Sequence, residues 1–348
     1  MSRVCQAAGH KFIPYQIKED DLYGGISNVL SVIRPEWPSE NIKYKLFTDG
    51  ITNKLVACQL KSEEEILLVR IYGNKTDLLI DRDAEIRNIT LLNKEGLAPK
   101  IYGVFRNGLV YEYYPGVTLT TETVIDPKIS TLVARQMARM HKVQLGPEVK
   151  KEPMIWDKIE QFLNLIPEQY SDPDKQARFE RSFVSPASLR SEFSCLQQRL
   201  AGCESPLVFA HNDLLLGNVV LDELAGSVAF IDYEYAGYNY QAFDIANHFN
   251  EYVGLSLEDI DYSRYPCEQF QRRWVYSYLT ELQAREPREE DVSRVCHQVR
   301  DLAPLSHFLW GAWALVQSHL SDIHFDFLRY AEIRLGRYYE LKEERDAP

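Results

Sequence analysis

Three polar side chains stand at a spacing that suits one kind of chemistry. Asp213 and Asn218 lie in His211-Asn212-Asp213-Leu-Leu-Leu-Gly-Asn218, and Asp232 closes the apolar run Val228-Ala-Phe-Ile231 a short way beyond. A carboxylate to receive a hydroxyl proton, an amide to steady a metal and a strand-borne carboxylate to hold Mg²⁺ are what phosphoryl transfer from ATP requires. Spacing carries weight because this transfer needs little covalent help; positioning and charge neutralisation lower its barrier. A turn rich in Asn and Asp can equally be a cap. Asp232, placed where a strand ends, favours the catalytic reading.

Such a site needs elements on both sides of a nucleotide, and the 348 residues are enough for two unequal lobes. Residues 1–20 read as a loose arm. Asp21 to Val32 repeats at helical spacing, and Gly24-Gly25 opens that helix rather than a phosphate loop. Tyr44–Phe47, Asn53–Leu60 and Glu65–Tyr72 read as strands, and Asp81–Lys94 as a helix with Ile86, Ile89 and Leu92 on one face. Lys100–Phe105 and Leu109–Tyr114 form a hairpin around Arg106-Asn107-Gly108, in which the Asn-Gly pair is the turn signal. Pro115-Gly116 closes this strand-rich lobe, residues 21–114. Helical patterns at Pro127–His141, Pro153–Leu165 and Pro186–Leu200 then dominate residues 115–348, interrupted by the strand-loop-strand stretch that carries Asp213 and Asp232. The fold class is α+β, a small antiparallel sheet followed by a larger helical lobe, with the nucleotide expected between them.

The first lobe supplies candidate ATP contacts. Thr48 to Leu55 joins two strands, so backbone N–H groups near Thr52 and Asn53 can approach phosphates, although a plain β-turn explains the same residues. Arg70 ends the apolar run Ile66–Val69, where a cation for the phosphates is needed, and Glu85 early in the next helix can fix its direction. Glu112 and Tyr114 fall in the hinge, where backbone groups can bond adenine.

Composition narrows the classes. Lys and Arg total 39 against 51 Asp and Glu, a net charge of −12, which disfavours a nucleic-acid partner. Six scattered cysteines without C-x-x-C spacing speak against zinc or a disulfide framework. Met1–Lys18 has no secretory core, so the cytoplasm is the expected location. Leu302–Leu320 runs uncharged, yet Pro304, His307, Gln317 and His319 make it a buried core helix rather than a transmembrane segment.

With these pieces assembled, the chain resembles the choline/ethanolamine kinase family. The resemblance lies in Phe47–Leu55, Leu68-Val-Arg-Ile-Tyr-Gly73, Ala98–Gly103, His211–Asn218, the run Ile231–Glu251 and Ser306–Trp313. It implies a protein-kinase-like two-lobe fold, Asp213 as catalytic base, Asn218 assisting with metal and phosphate, and Asp232 as principal Mg²⁺ ligand with Glu234 nearby. It also implies a homodimer, although no self-complementary stripe is visible. Phe47–Leu55 and His248–Glu251 are worded more like the ethanolamine-specific members, so the expected reaction is Mg²⁺-dependent phosphorylation of ethanolamine by ATP, opening the CDP-linked route to phosphatidylethanolamine. Choline, or both amines, is the alternative; an aminoglycoside-type phosphotransferase and a non-catalytic scaffold of the same fold are more distant ones.

For the amine, Trp310 and Trp313 share a helix face, and with Tyr235 and Tyr330 they can surround an ammonium group. Glu251 and Asp244 can add negative charge. Choline kinases of the family use a further tyrosine after the position of Glu251; here Ser256 or Tyr252 stands nearby, a thinner cage that suits a smaller head group. Residues 214–216 depart from the family pattern in being three leucines.

Overall fold

The computed structural model describes residues 9–47, 53–61, 64–73, 76–183, 185–254, 256–321 and 323–346. The chain divides into two compact units, Met1–Gly116 and Val117–Pro348.

The first unit runs β1 (Phe12–Ile13), α1 (Leu22–Ile33), β2 (Ile42–Phe47), β3 (Asn53–Leu60), β4 (Ile66–Tyr72), α2 (Arg82–Lys94), β5 (Ile101–Phe105) and β6 (Gly108–Glu112). The strands form one sheet in the order β1-β5-β6-β4-β3-β2, antiparallel except where β1 runs parallel to β5. Strand β4 is central and buried along nearly its whole length, which is why its sequence is continuously apolar rather than alternating. Ile26, Val29 and Leu30 of α1 pack with Val56, Leu67, Val69 and Phe105 of the sheet. Asp81 caps α2 by accepting from the backbone N–H groups of Asp83 and Ala84, at 3.1 and 3.0 Å.

Two expectations are corrected here. Residues 9–20 are not a loose arm: Phe12 and Ile13 extend the sheet, and Ile13 and Ile17 are buried in its core. The hairpin turn is centred on Arg106-Asn107, with Gly108 already paired to Phe105. Gly108 is required for close approach, since a Cβ there would lie 2.0 Å from the Arg70 carbonyl oxygen. Asn107 instead clamps the N-terminal segment, accepting from the Ile17 N–H and donating to its carbonyl at 3.0 and 2.9 Å.

The second unit contains β7 (Val117–Thr118), α3 (Pro127–His141), α4 (Ile155–Leu165), α5 (Pro173–Ser182), α6 (Pro186–Leu200), β8 (Leu207–Ala210), β9 (Val219–Asp222), β10 (Ser227–Phe230), β11 (Gly237–Tyr240), α7 (Gln241–Asn250), α8 (Glu268–Gln283), α9 (Glu289–Leu320) and α10 (Phe327–Asp346). Helices α3, α5 and α6 each start with Asp or Ser as cap and Pro at the first turn. Helix α5 buries only Phe179, so it leaves little periodicity to read. The uncharged stretch ending at Leu320 lies in α9 and is buried as a core helix. Among the described residues no helix is long and apolar enough to cross a membrane.

Two small ribbons set up the chemistry. One is β10-β9-β7 and the other β11-β8. The loop 211–218 leaves β8 and enters β9, while residues 231–236 leave β10 and enter β11. The two loops therefore cross between the same pair of ribbons. Helix α7, buried at every position, follows directly.

Candidate active site

The loop that carries Asp213 is held from below by side chains of buried elements. Asp244 on α7 accepts from the backbone N–H groups of His211 and Asn212 at 2.9 and 2.7 Å, and from His141 Nε2 at 2.9 Å. Asn212 is thereby kept at φ 66°, a left-handed conformation that asparagine tolerates. Its amide donates to the Tyr235 carbonyl at 2.9 Å and accepts from Asn239 at 2.8 Å. His248 donates through Nδ1 to the Leu214 carbonyl at 3.0 Å, and burial lowers its pKa to about 4, so it stays neutral. Leu214 and Leu216 are fully buried, which explains the leucine run: these residues anchor the loop.

Asp232 and Asn218 are tied to that loop. Asn218 donates through Nδ2 to the Asp213 carbonyl at 2.8 Å, and its own carbonyl accepts from the Ile231 N–H at 3.0 Å. His211 donates through Nε2 to the Ile231 carbonyl at 2.9 Å. Asp232 follows at φ 65°, so the chain turns sharply as it leaves the strand. With Nδ2 committed, Asn218 has Oδ1 as its remaining ligand atom.

The electrostatics show that the acids converge. Asp213 is held well above the usual carboxylate range, first by burial and then by the charges of Asp232, Glu251 and Glu234, with Arg334 opposing them. Like charges gathered on partly buried loops call for a cation. Among the described residues no three His, Cys, Asp or Glu side chains form a self-sufficient metal cage. That donor set fits Mg²⁺, which takes one or two carboxylates and completes its shell with water and substrate phosphates.

Beside these acids lies a cluster of rings. Tyr235 and Trp310 meet edge to face at 5.3 Å, Trp310 and Trp313 at 5.7 Å, and Trp313 and Tyr330 at 6.3 Å. Trp313 donates through Nε1 to the Tyr235 hydroxyl at 2.9 Å, and Trp310 to Asn247 Oδ1 at 2.8 Å. Burial and then Glu234 and Asp213 raise the Tyr235 pKa well above its ordinary value. Burial, opposed by Arg334 and reinforced by Glu251 and Asp213, raises that of Tyr330. Both tyrosines therefore sense the Asp213 charge.

Two acids expected near the amine behave differently. Asp244 is fully enclosed, and its oxygens accept from His141, His211 and Asn212, so it braces the loop and does not open to a substrate. Burial alone would raise its pKa, but the bonds and charges of His141 and His211 hold it below the ordinary value. Glu251 accepts from Arg334 Nη1 at 2.7 Å through Oε1. Arg334 also reaches Tyr330 and Ser306, at 3.3 and 3.1 Å. Tyr252 is buried against His248 and Phe270, and Ser256 is exposed; neither joins the rings.

In the first unit Arg70 and Glu85 form a buried ion pair at 3.2 Å. Glu85 is shared with Arg82 at 3.0 Å, and Arg82 reaches Asn53 Oδ1 at 3.4 Å. The Glu112 N–H donates to the Lys100 carbonyl at 3.0 Å and is not open to adenine. Tyr114 is partly buried, and burial followed by Glu112 moves its pKa up to about 12. Thr52 and the rest of 48–52 lie outside the described residues.

Sequence reasoning missed Arg82, His141, Asn247 and Arg334. Arg82 carries a local signal, three residues before Glu85 on one helix face. His141 and Asn247 find partners far along the chain, and no spacing rule points to them; Arg334 stands four residues after Tyr330 on one helix, but its partner Glu251 is distant.

Comparison with known proteins agrees with this geometry. The family model described as choline/ethanolamine kinase matches residues 44–339. Human ethanolamine kinase 2 is 41% identical over 98% of this chain and 87% of its own length. The Drosophila melanogaster ethanolamine kinase is 40% identical over 96% of this chain and 80% of its own. Among solved structures, a Plasmodium vivax ethanolamine kinase superposes with a TM-score of 0.82 at 27% identity, covering 92% of this chain and 89% of that one. A match over most of the chain, with the acid-bearing loops and the ring cluster inside it, establishes that this protein belongs to the choline/ethanolamine kinase family.

Proposed function

We propose that this protein is an ethanolamine kinase, transferring the γ-phosphoryl group of ATP to the hydroxyl of ethanolamine to give ADP and phosphoethanolamine. The observation that carries the reading is the ring cluster of Tyr235, Trp310, Trp313 and Tyr330 beside the Asp213 charge, with Glu251 at its border. The hydroxyl oxygen attacks phosphorus while Asp213 takes its proton, and the bond to the ADP oxygen breaks. A carboxylate of raised pKa is a better acceptor for that proton than an ordinary aspartate. Asp232, Asn218 and Glu234 would hold Mg²⁺, which supplies neutralisation of phosphate charge. Arg70, directed by Glu85, is assigned to the nucleotide phosphates, and Thr52, Asn53 and the Tyr114 backbone to further nucleotide contacts.

The choice of amine follows from hydrogen bonding. Trimethylammonium has no N–H and is satisfied by ring faces, whereas NH₃⁺ brings three donors that must be accepted when water is removed. Glu251 has Oε1 on Arg334 and can offer Oε2, an acceptor that rewards NH₃⁺ and gains nothing from choline. We therefore expect kcat/KM for ethanolamine to exceed that for choline by about tenfold or more, the scale of one charged hydrogen bond. A coupled ADP-release assay across both amines checks this, and a preference for choline overturns it.

A further inference from the structure

Three pairs of side chains four residues apart meet beside the ring cluster. Asn247 and Glu251 belong to α7 and the turn after it, Ser306 and Trp310 to α9, and Tyr330 and Arg334 to α10. That spacing sets each pair on one helix face. Arg334 joins all three. Its Nη1 donates to Glu251 Oε1 at 2.7 Å and to the Tyr330 hydroxyl at 3.3 Å, and its Nη2 donates to Ser306 Oγ at 3.1 Å. Ser306 passes its own proton to Asn247 Oδ1 at 2.9 Å, and the same oxygen accepts from Trp310 Nε1 at 2.8 Å. Guanidinium and indole N–H groups can only donate, so every bond in this chain has one direction and the Asn247 amide one orientation.

A guanidinium only 4% exposed, beside rings assigned to an ammonium group, sets two effects against each other. Its charge repels the amine. That repulsion is offset by the paired Glu251 carboxylate and acts on every ammonium alike. Its hydrogen bonds act on geometry. They hold Glu251 by one oxygen, so the other is left for a donor, and only an amine with N–H groups can use it. The charge effect is common to ethanolamine and choline and cancels in the ratio of their kcat/KM values. The ratio therefore reads how Glu251 is aimed.

Resting on the ethanolamine kinase assignment, we propose that Arg334 is the positioning residue that sets amine specificity: it aims Glu251 at the N–H donors of a primary ammonium group and, through Ser306 and Asn247, fixes the Trp310 ring beside it. Lysine cannot take its place. A lysine carries the same charge but lacks the planar fork that reaches Glu251, Tyr330 and Ser306 together.

Steady-state kinetics of the full chain with both amines tests the assignment and the proposal separately. Arg334→Lys should lower the ethanolamine-to-choline ratio of kcat/KM about tenfold, the scale of one charged hydrogen bond, with the loss in KM for ethanolamine. Glu251→Gln keeps the shape of the acid. With Arg334 holding its oxygen, the new amide must turn its NH₂ toward the amine, so the preference for ethanolamine should disappear. Were the side chain free to turn, its oxygen would face the amine and the preference would survive. Ser306→Ala cuts only the arm to Asn247 and Trp310, which serves both amines, so both KM values should rise about fivefold at a constant ratio. A wild-type ratio in folded Arg334→Lys overturns the proposal, and so does one in Glu251→Gln, which decides the matter if the lysine variant does not fold. Unchanged KM values in Ser306→Ala overturn the relay to Trp310. A wild type without preference for ethanolamine overturns the assignment itself.

Discussion

At Asp213, function and stability pull in opposite directions. Its pKa is raised by burial and then by Asp232, Glu251 and Glu234, so the native state holds the proton more tightly than the unfolded chain does. The residue therefore contributes stability at acidic pH that is lost as pH rises from the unfolded value through the raised native one. Asp213→Asn should lower kcat by about 10²–10⁴-fold, the usual range for removing a general base. Nucleotide affinity should be retained, and Tm at neutral pH should hold or rise. A rate near wild type would remove Asp213 from the mechanism. The base works only when deprotonated, so kcat/KM for ethanolamine should rise with pH through its native pKa. Glu251→Gln removes one of the raising charges and frees Arg334 to lower the pKa further, so the acid limb should move to lower pH. A limb that stays in place, measured across pH 5 to 8 as a rough window around carboxylate and histidine titration, would mean another group sets it. The sequence motif singled out Asp213, Asn218 and Asp232 as candidates because their spacing is local, and the fold ties their loops together. Asp244 was misread as an open charge because its three donors come from His211, Asn212 and the distant His141, and only the folded chain brings them together.

The elements were legible wherever periodicity was strong. Helices α3 and α6 and strand β3 fall where the apolar pattern and the Pro starts placed them, whereas α5 buries a single phenylalanine and left no pattern to find. Asn107-Gly108 was read as a turn pair because each residue favours one, but Gly108 is needed for its missing Cβ and Asn107 for its side chain. A similar close approach joins α9 to α10, the two helices that carry Trp310, Trp313 and Tyr330. A Cβ on Gly311 would lie 2.6 Å from Leu335 Cγ, a branch atom in a buried side chain. Gly311→Ala gains helix propensity of about 1 kcal/mol, but overpacking costs about 1–3 kcal/mol, so the crowding wins. The variant should lose stability and, because the rings shift, raise KM for ethanolamine more than it lowers kcat. Adding Leu335→Ala should restore part of both, as a double-mutant cycle by thermal denaturation and steady-state kinetics would show. Additive effects of the two substitutions would refute direct contact as the cause.

On the scale of the whole molecule, the division into a strand-rich and a helical unit was visible in the sequence, because Pro115-Gly116 separates two regions of different period. What the sequence left open was how ionic balance is met in a chain with net charge −12. Arginines balance acids locally, as Arg70 and Arg82 do for Glu85 and Arg334 for Glu251. Around Asp213, proposed here as the base, burial and then the charges of Asp232, Glu251 and Glu234 raise a pKa instead. If Mg²⁺ with nucleotide provides that missing charge, binding must stabilise the fold by mass action, about 2.7 kcal/mol at a ligand concentration one hundred times Kd. The non-hydrolysable analogue AMP-PNP should therefore raise Tm by a few degrees with Mg²⁺ present and much less with EDTA, at the slope expected for units of this size. Asp232→Ala should lose the Mg²⁺-dependent part of the shift while keeping the part due to nucleotide alone. Without ligand, that variant should melt at or above the wild-type temperature, because it removes one of the repelling charges. An undiminished Mg²⁺-dependent shift in Asp232→Ala would assign the metal to other residues, and with it the charge balance on which phosphoryl transfer here depends.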